Sequence, residues 1–214
     1  MDDPDRIRTE IVRCCRSLWE AGLIAGAEGN VSVRLAADRV LVTPRALLKY
    51  ELRPEDLVEV DLEGNSRSGY RQPTTELDLH LRAYRQRTEC GAVVHAHPPS
   101  ATAFAVAGEG LPGDVLSEIA LLMGEVPCVP YAMSGTAALG DAAEPFLKHH
   151  VALLLSNHGA LTWGENLTQA RIRMESLEHA ARILLAARVL GRVSRLTREQ
   201  TEALDRMRGT SSHG

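Results

Sequence analysis

No apolar run in the chain approaches the roughly 20 residues that a bilayer-spanning helix needs, so no membrane partner is expected. A basic excess is missing too. The 24 Lys and Arg stand against 28 Asp and Glu, and a net charge of −4 excludes the electrostatic footprint of a nucleic-acid binder. Cysteine is scarce: Cys14, Cys15, Cys90 and Cys128 show no Cys-x-x-Cys spacing, and the first two lie inside a helical pattern. They read as reduced thiols of a cytoplasmic protein. The opening residues, Met-Asp-Asp-Pro-Asp, are acidic and carry no apolar run, so no signal peptide is expected. Internal repeats are absent. What is present is 214 residues at 44% hydrophobic, enough for one domain with a sizeable core. The expected division is a single domain over 1–208 and a disordered tail over 209–214.

Periodicity places the elements. Ile7, Ile11, Cys15 and Leu18 recur at helical spacing over 6–21, with Gly22 as C-cap. Strands are expected over 29–34, 40–43, 57–62, 92–98, 127–131, 151–156 and 160–163, and 67–73 reads as a polar loop. Thr75 opens a helix with Asp78 as its capping-box partner and Leu77, Leu81 and Tyr84 as its apolar stripe. Further helices are expected over 100–107, 115–123, 137–149, 167–190 and 197–207, the last with Thr197 and Gln200 as a capping box. Strands alternate with helices, but some come as hairpin pairs. The fold class is therefore α/β around one mixed sheet, not a purely parallel doubly wound one.

The informative stretch is Ala92-Val-Val-His-Ala-His-Pro98. Side chains two apart on a strand share a face, so His95 and His97 leave it together at the strand's C-terminal end. Two imidazoles alone are not a catalytic zinc site, which uses three protein ligands and an open position. His158, in Leu-Leu-Leu-Ser-Asn-His-Gly, follows another buried strand and supplies a third; the bland alternative is a pair of satisfied loop histidines. Glu76 lies one or two residues into the helix after Pro73-Thr74-Thr75, where free N–H groups and two hydroxyls favour an anion. A carboxylate beside a metal can ligate it in the empty site and act as base once substrate displaces it; a first-turn Glu also commonly does no more than complement the helix dipole. Gly29-Asn30-x-Ser32 is a tight turn whose amides can cradle an anion. His80, one helical turn past Glu76, either touches the site or faces solvent. His149 and His150 read as solvated, His179 as structural, and Cys90 and Cys128 as core.

These motifs stand in a familiar order. Gly29-Asn30-Val31-Ser32-Val33-Arg34, Val42-Thr43-Pro44, Pro73-Thr74-Thr75-Glu76, His95-Ala96-His97, Pro127-Cys128-Val129-Pro130-Tyr131 with Gly135-Thr136, and Asn157-His158-Gly159 resemble class II aldolase/adducin-type proteins across roughly residues 7–190. The resemblance implies a three-layer α/β/α sandwich around one mixed, mostly antiparallel sheet. It implies a homotetramer with active sites between neighbouring subunits. Zinc would sit on His95, His97 and His158, with manganese or cobalt compatible with the same donors, and Glu76 would be the acid/base group. The substrate would be a small sugar phosphate or hydroxy-acid, its carbonyl and hydroxyl oxygens on the metal and its phosphate on Asn30, the 43–46 turn, Thr74 and Thr75. The implied reaction is carbon–carbon bond cleavage or formation through an enediolate.

The sequence also departs from that pattern. The family's phosphate turn is usually Thr-Pro-Ser/Thr-Gly; here it is Thr43-Pro44-Arg45-Ala46, trading a glycine for a guanidinium that suits phosphate or carboxylate. The region that supplies a proton-donating Tyr in aldolase members is Asp114-Val115-Leu116-Ser117-Glu118, leaving Glu118 or Tyr131 as substitutes. No aromatic follows Met207. Decarboxylation or dehydration on the same centre is thus the second reading. A non-catalytic interaction domain, as in adducin, is the third, and that branch is expected to lack the metal ligands retained here.

Overall fold

Asp3 accepts from the Asp5 amide and Pro4 occupies the first turn, so the chain enters α1 (Pro4–Glu20) at a well-formed N-terminus. This computed structural model describes residues 3–211. Helix α1 buries Ile7, Ile11, Cys14, Cys15 and Leu18 along one stripe. Next come β1 (Asn30–Ala36), β2 (Arg39–Val42), a 3-10 turn (Pro54–Asp56), β3 (Val58–Val60), β4 (Ser66–Ser68) and α2 (Leu77–Gln86). They are followed by β5 (Ala92–Ala96), α3 (Pro99–Val106), α4 (Ser117–Leu122), β6 (Cys128–Val129) and α5 (Ala137–Leu147). The chain closes with β7 (Ala152–Leu155), β8 (Gly159–Gly164), α6 (Leu167–Val189) and α7 (Arg198–Ser211).

The eight strands form one sheet in the order β4-β3-β2-β1-β5-β8-β7-β6. Every paired neighbour among the described residues is antiparallel except β6–β7. One face carries a core built from α1, α3, α4 and α6 against Val31, Val33, Ala92, Val94 and Ala96. The other packs α2 and α5 on Val40, Val42, Val93, Leu153, Leu161 and Trp163. The result is the three-layer α/β/α sandwich with a mixed, mostly antiparallel sheet. Pleat alternation assigns the side chains to faces. The β1–β5 register sets Asn30 opposite His95 and Ser32 opposite Val93, all on the α2 side.

Several elements differ from expectation. The polar loop expected over 67–73 overlaps the end of the edge strand β4, whose residues are all exposed and so give no hydrophobic signal. Helix α2 starts at Leu77, with Glu76 at its N-cap and no side-chain cap bond, so the Thr75–Asp78 box does not form. Asp78 pairs instead with Arg82 at 2.7 Å. The box at α7 does form: the Thr197 amide donates to Gln200 Oε1 at 2.8 Å and the Gln200 amide to Thr197 Oγ1 at 3.3 Å. Helix α7 continues through Ser211, into the expected tail, and 212–214 lie outside the described residues. His179 is exposed on α6, a solvent position where a structural role was expected.

Gly29 joins the two halves of the site. It has φ +68°, and a Cβ there would stand 2.7 Å from Ile24 Cγ2 and 2.9 Å from the His95 carbonyl oxygen. The carbonyl belongs to a paired strand and cannot retreat. Gly29→Ala is therefore expected to destabilise the fold by about 2 kcal/mol, from left-handed strain and overpacking together. Urea unfolding should show a lower midpoint at unchanged slope.

Candidate metal centre

His95 is fully buried at the end of β5, and His97 stands just past it. His158 comes from the β7–β8 turn, where Asn157 adopts φ 55°, a left-handed conformation that asparagine tolerates. Gly159 leaves that turn with no space for a side chain: a Cβ would lie 2.5 Å from His97 Cδ2 and 2.6 Å from the Ala96 carbonyl oxygen. The three rings form a near-equilateral triangle, with centroids 4.9, 4.8 and 4.8 Å apart. One ligand atom from each lies within 4.8 Å of the others.

Outer contacts orient two of the rings. His95 Nδ1–H donates to the Ala160 carbonyl at 2.9 Å, which leaves Nε2 with its lone pair aimed inward. His97 Nδ1 meets Glu28 Oε2 at 3.2 Å, leaving its Nε2 inward as well. The two Nε2 atoms are 3.1 Å apart. Tetrahedral coordination at zinc–nitrogen bonds of ~2.0–2.1 Å separates ligand nitrogens by about 3.3 Å, close to the 3.1 Å of this pair, and three imidazoles are a donor set that suits one such ion.

Glu76 completes the cluster. Oε1 lies 2.7 Å from His158 Nε2 and Oε2 3.1 Å from His95 Nε2. Asn30 Nδ2 donates to Oε2 at 2.8 Å. Burial raises the Glu76 pKa, but the His95 imidazole and the hydrogen bonds from His158, His95 and Asn30 outweigh it and hold the carboxyl far below the usual range. Burial opposes charge on His95, yet the Glu76 carboxylate overcomes it and raises that pKa. On His97, burial and the neighbouring imidazoles act together and push it down to about 3.

A pocket of about 220 Å³ opens from this cluster and is lined by Arg45, Thr74, Thr75, Glu76, His97 and His158, among others. Thr75 is exposed at its rim; Thr74 is buried, and its Oγ1 accepts from the Glu76 amide at 3.3 Å. Arg45 is exposed, with no side-chain partner among the described residues. Ala46 holds φ 55°, so the turn keeps a glycine-like conformation despite its side chain. Two expected anion ligands are placed differently. Thr43 is fully buried, and its Oγ1 accepts the Val31 amide at 3.1 Å, so its hydroxyl braces β1 instead of facing the pocket. Asn30 borders the pocket, but its side chain is committed to Glu76 and His80. Glu118 and Tyr131 are exposed and do not line the pocket of this chain.

Nothing in the sequence marks Lys49 as a site residue, since a single lysine between leucines and a tyrosine carries no motif. It is 2% exposed, and its Nζ donates to the carbonyls of Ala27 at 2.8 Å and Leu47 at 2.9 Å. Burial pushes its pKa down. It ties together the two turns that border the pocket.

Fold and site together define an α/β/α protein with a trihistidine–carboxylate pocket at the end of its central strands. The chain belongs to the class II aldolase and adducin family, as the Class II Aldolase and Adducin N-terminal domain matches residues 9–185. It is 36% identical over 198 residues to 5-deoxy-D-ribulose 1-phosphate aldolase of Bacillus thuringiensis serovar kurstaki, covering 92% of each chain. It is 35% identical over 189 residues to 3-oxo-tetronate 4-phosphate decarboxylase of Pectobacterium atrosepticum, covering 86% of each. A solved structure of L-fuculose 1-phosphate aldolase superposes with a TM-score of 0.88 at 32% identity, over 93% of this chain and 94% of that one. No helix among the described residues is long and apolar enough to cross a membrane.

Proposed function

We propose that this chain is a zinc-dependent carbon–carbon lyase that cleaves or forms a small ketose phosphate or related hydroxy-carbonyl compound. The observation that carries the reading is the convergence of His95, His97 and His158 with Glu76 set against two of their ring nitrogens. A divalent ion on the three imidazoles would supply Lewis-acid withdrawal of charge from a substrate carbonyl oxygen. Glu76 would accept or deliver the proton at the carbon beside that carbonyl, where the broken bond leaves its electron pair. Thr74, Thr75 and Arg45 would hold the substrate's anionic end across the pocket. Asn30 would hold the Glu76 carboxylate, and Thr43 would brace β1 beneath the pocket.

Arg45 favours a second reading. An unpaired guanidinium at the rim suits a carboxylate as well as a phosphate, and one relative is named a decarboxylase. Arg45→Ala is expected to raise KM about tenfold, the worth of a charge-assisted hydrogen bond. A loss confined to carboxylated substrates would point to decarboxylation; a loss on phosphorylated ketoses would point to aldol chemistry. The family resemblance implies a homotetramer with sites between subunits. Four free cysteines suit the cytoplasm.

The test is metal analysis of protein purified without added zinc, joined to an aldol assay with dihydroxyacetone phosphate and small aldehydes. About one zinc per subunit and activity abolished by chelator are expected. Activity that survives chelation would overturn the reading.

A further inference from the structure

A chain of buried hydrogen bonds runs behind Glu76. Tyr84 Oη lies 2.8 Å from Ser32 Oγ, and Ser32 Oγ lies 2.7 Å from His80 Nδ1. His80 Nε2 lies 2.5 Å from Asn30 Oδ1, and Asn30 Nδ2 donates to Glu76 Oε2 at 2.8 Å. Ser32 and His80 are fully buried, and Tyr84, Asn30 and Glu76 nearly so.

The Glu76 end sets the direction of every proton. An ionised carboxylate only accepts, so Asn30 must turn its NH2 toward Glu76 and its carbonyl oxygen toward His80. That oxygen only accepts, so the His80 proton sits on Nε2. Nδ1 of a neutral ring then accepts from Ser32, and the Ser32 oxygen accepts from Tyr84. The reverse direction would set the Asn30 carbonyl oxygen against the carboxylate, two acceptors at hydrogen-bond distance. Charging the ring is opposed as well: burial, with the nearby His95 next, pushes His80 down to about 3.

We propose that His80, as its Nε2–H tautomer, is a positioning residue that fixes the Asn30 amide so that the amide aims the Glu76 carboxylate at the trihistidine cluster. The proposal rests on the reading of Glu76 as the proton-transfer group. It also accounts for Asn30: the amide is spent on Glu76 and not on a substrate anion. A ring that were merely core filling would not need its polar atoms ordered, whereas here each has one partner of the right kind.

Long-range 15N–1H spectra of histidine-labelled, metal-free protein read the tautomer directly. His80 is expected to show a neutral Nε2–H ring at pH 7. An Nδ1–H or doubly protonated ring would overturn the proposal, and this readout needs no variant and no substrate. The second arm is deuterium exchange at the hydroxymethyl carbon of dihydroxyacetone phosphate in D2O, using zinc-loaded protein. His80→Met keeps the volume and removes the donor. It is expected to lower the exchange kcat about 10–100-fold, the usual cost of removing a supporting partner, with KM and zinc content unchanged. His80→Gln restores a donor to Asn30 and is expected to recover most of that loss. An unaltered kcat in His80→Met, or no rescue by Gln, would overturn the proposal. Failure of the Glu76 reading has a different signature: exchange would survive Glu76→Gln while the wild-type His80 tautomer stayed as expected.

Discussion

Glu76→Gln is expected to lower turnover by about 10²–10⁴-fold while leaving the fold and the zinc content unchanged. The amide has the shape of the carboxylate, and its oxygen can still accept from Asn30 Nδ2, which donates at 2.8 Å in the native chain. What it cannot do is take a proton from a carbon acid. In the metal-free site the native carboxyl is held ionised: burial alone would raise its pKa, and the His95 ring with the His158, His95 and Asn30 hydrogen bonds more than reverses that. The measurement is steady-state kinetics with matched zinc analysis on the same preparations. A variant within threefold of the native rate would remove Glu76 from the chemistry.

His158→Ala should weaken zinc binding by at least ~10²-fold and take the activity with it, more than the 10–100-fold typical of supporting partners. His158, like His97, is cleaner to remove than His95. It is only partly buried, whereas truncating fully buried His95 would also open a cavity in the sheet. Removal leaves two imidazoles, short of the three protein ligands of a catalytic zinc site. Competition with a chromophoric chelator measures the affinity, and unfolding at matched metal separates lost binding from lost fold. Native zinc content in the variant would show that the three rings do not form the site. Zinc uptake by the native protein should also release protons. The imidazole nitrogen that binds the ion must be unprotonated, and Glu76 raises the pKa of His95, so affinity should fall as the pH is lowered.

The cluster was legible because its signals are local. His95 and His97 are two apart on a β-branched run, and the strand period alone sends them to one face. His158 follows an apolar run of strand length, so it too had to emerge at a strand end. Glu76 was legible as a carboxylate near a helix start, although α2 begins later than its capping pattern suggested and leaves Glu76 at the N-cap, free to turn inward. Thr43 was misplaced because a hydroxyl in a turn has no period, and nothing nearby reveals that it accepts the Val31 amide. His80 was ambiguous for a related reason. Its position on α2 follows from spacing, but its burial depends on Ser32 and Asn30 arriving from a strand 48 and 50 residues earlier.

Periodic burial and strand-end chemistry were therefore written into the chain: the α/β alternation, the two-sided core, the three imidazoles and the carboxylate. These follow from side-chain direction along a single element, a property each segment has before it meets any other. The partners of each polar group were settled only on packing. Strand order and register placed Asn30 opposite His95, turned its amide from a substrate ligand into a support for Glu76, and brought Lys49 across to join two turns. Hydrogen bonds hold over only about 3 Å, so which groups pair depends on distances between elements that no segment contains by itself.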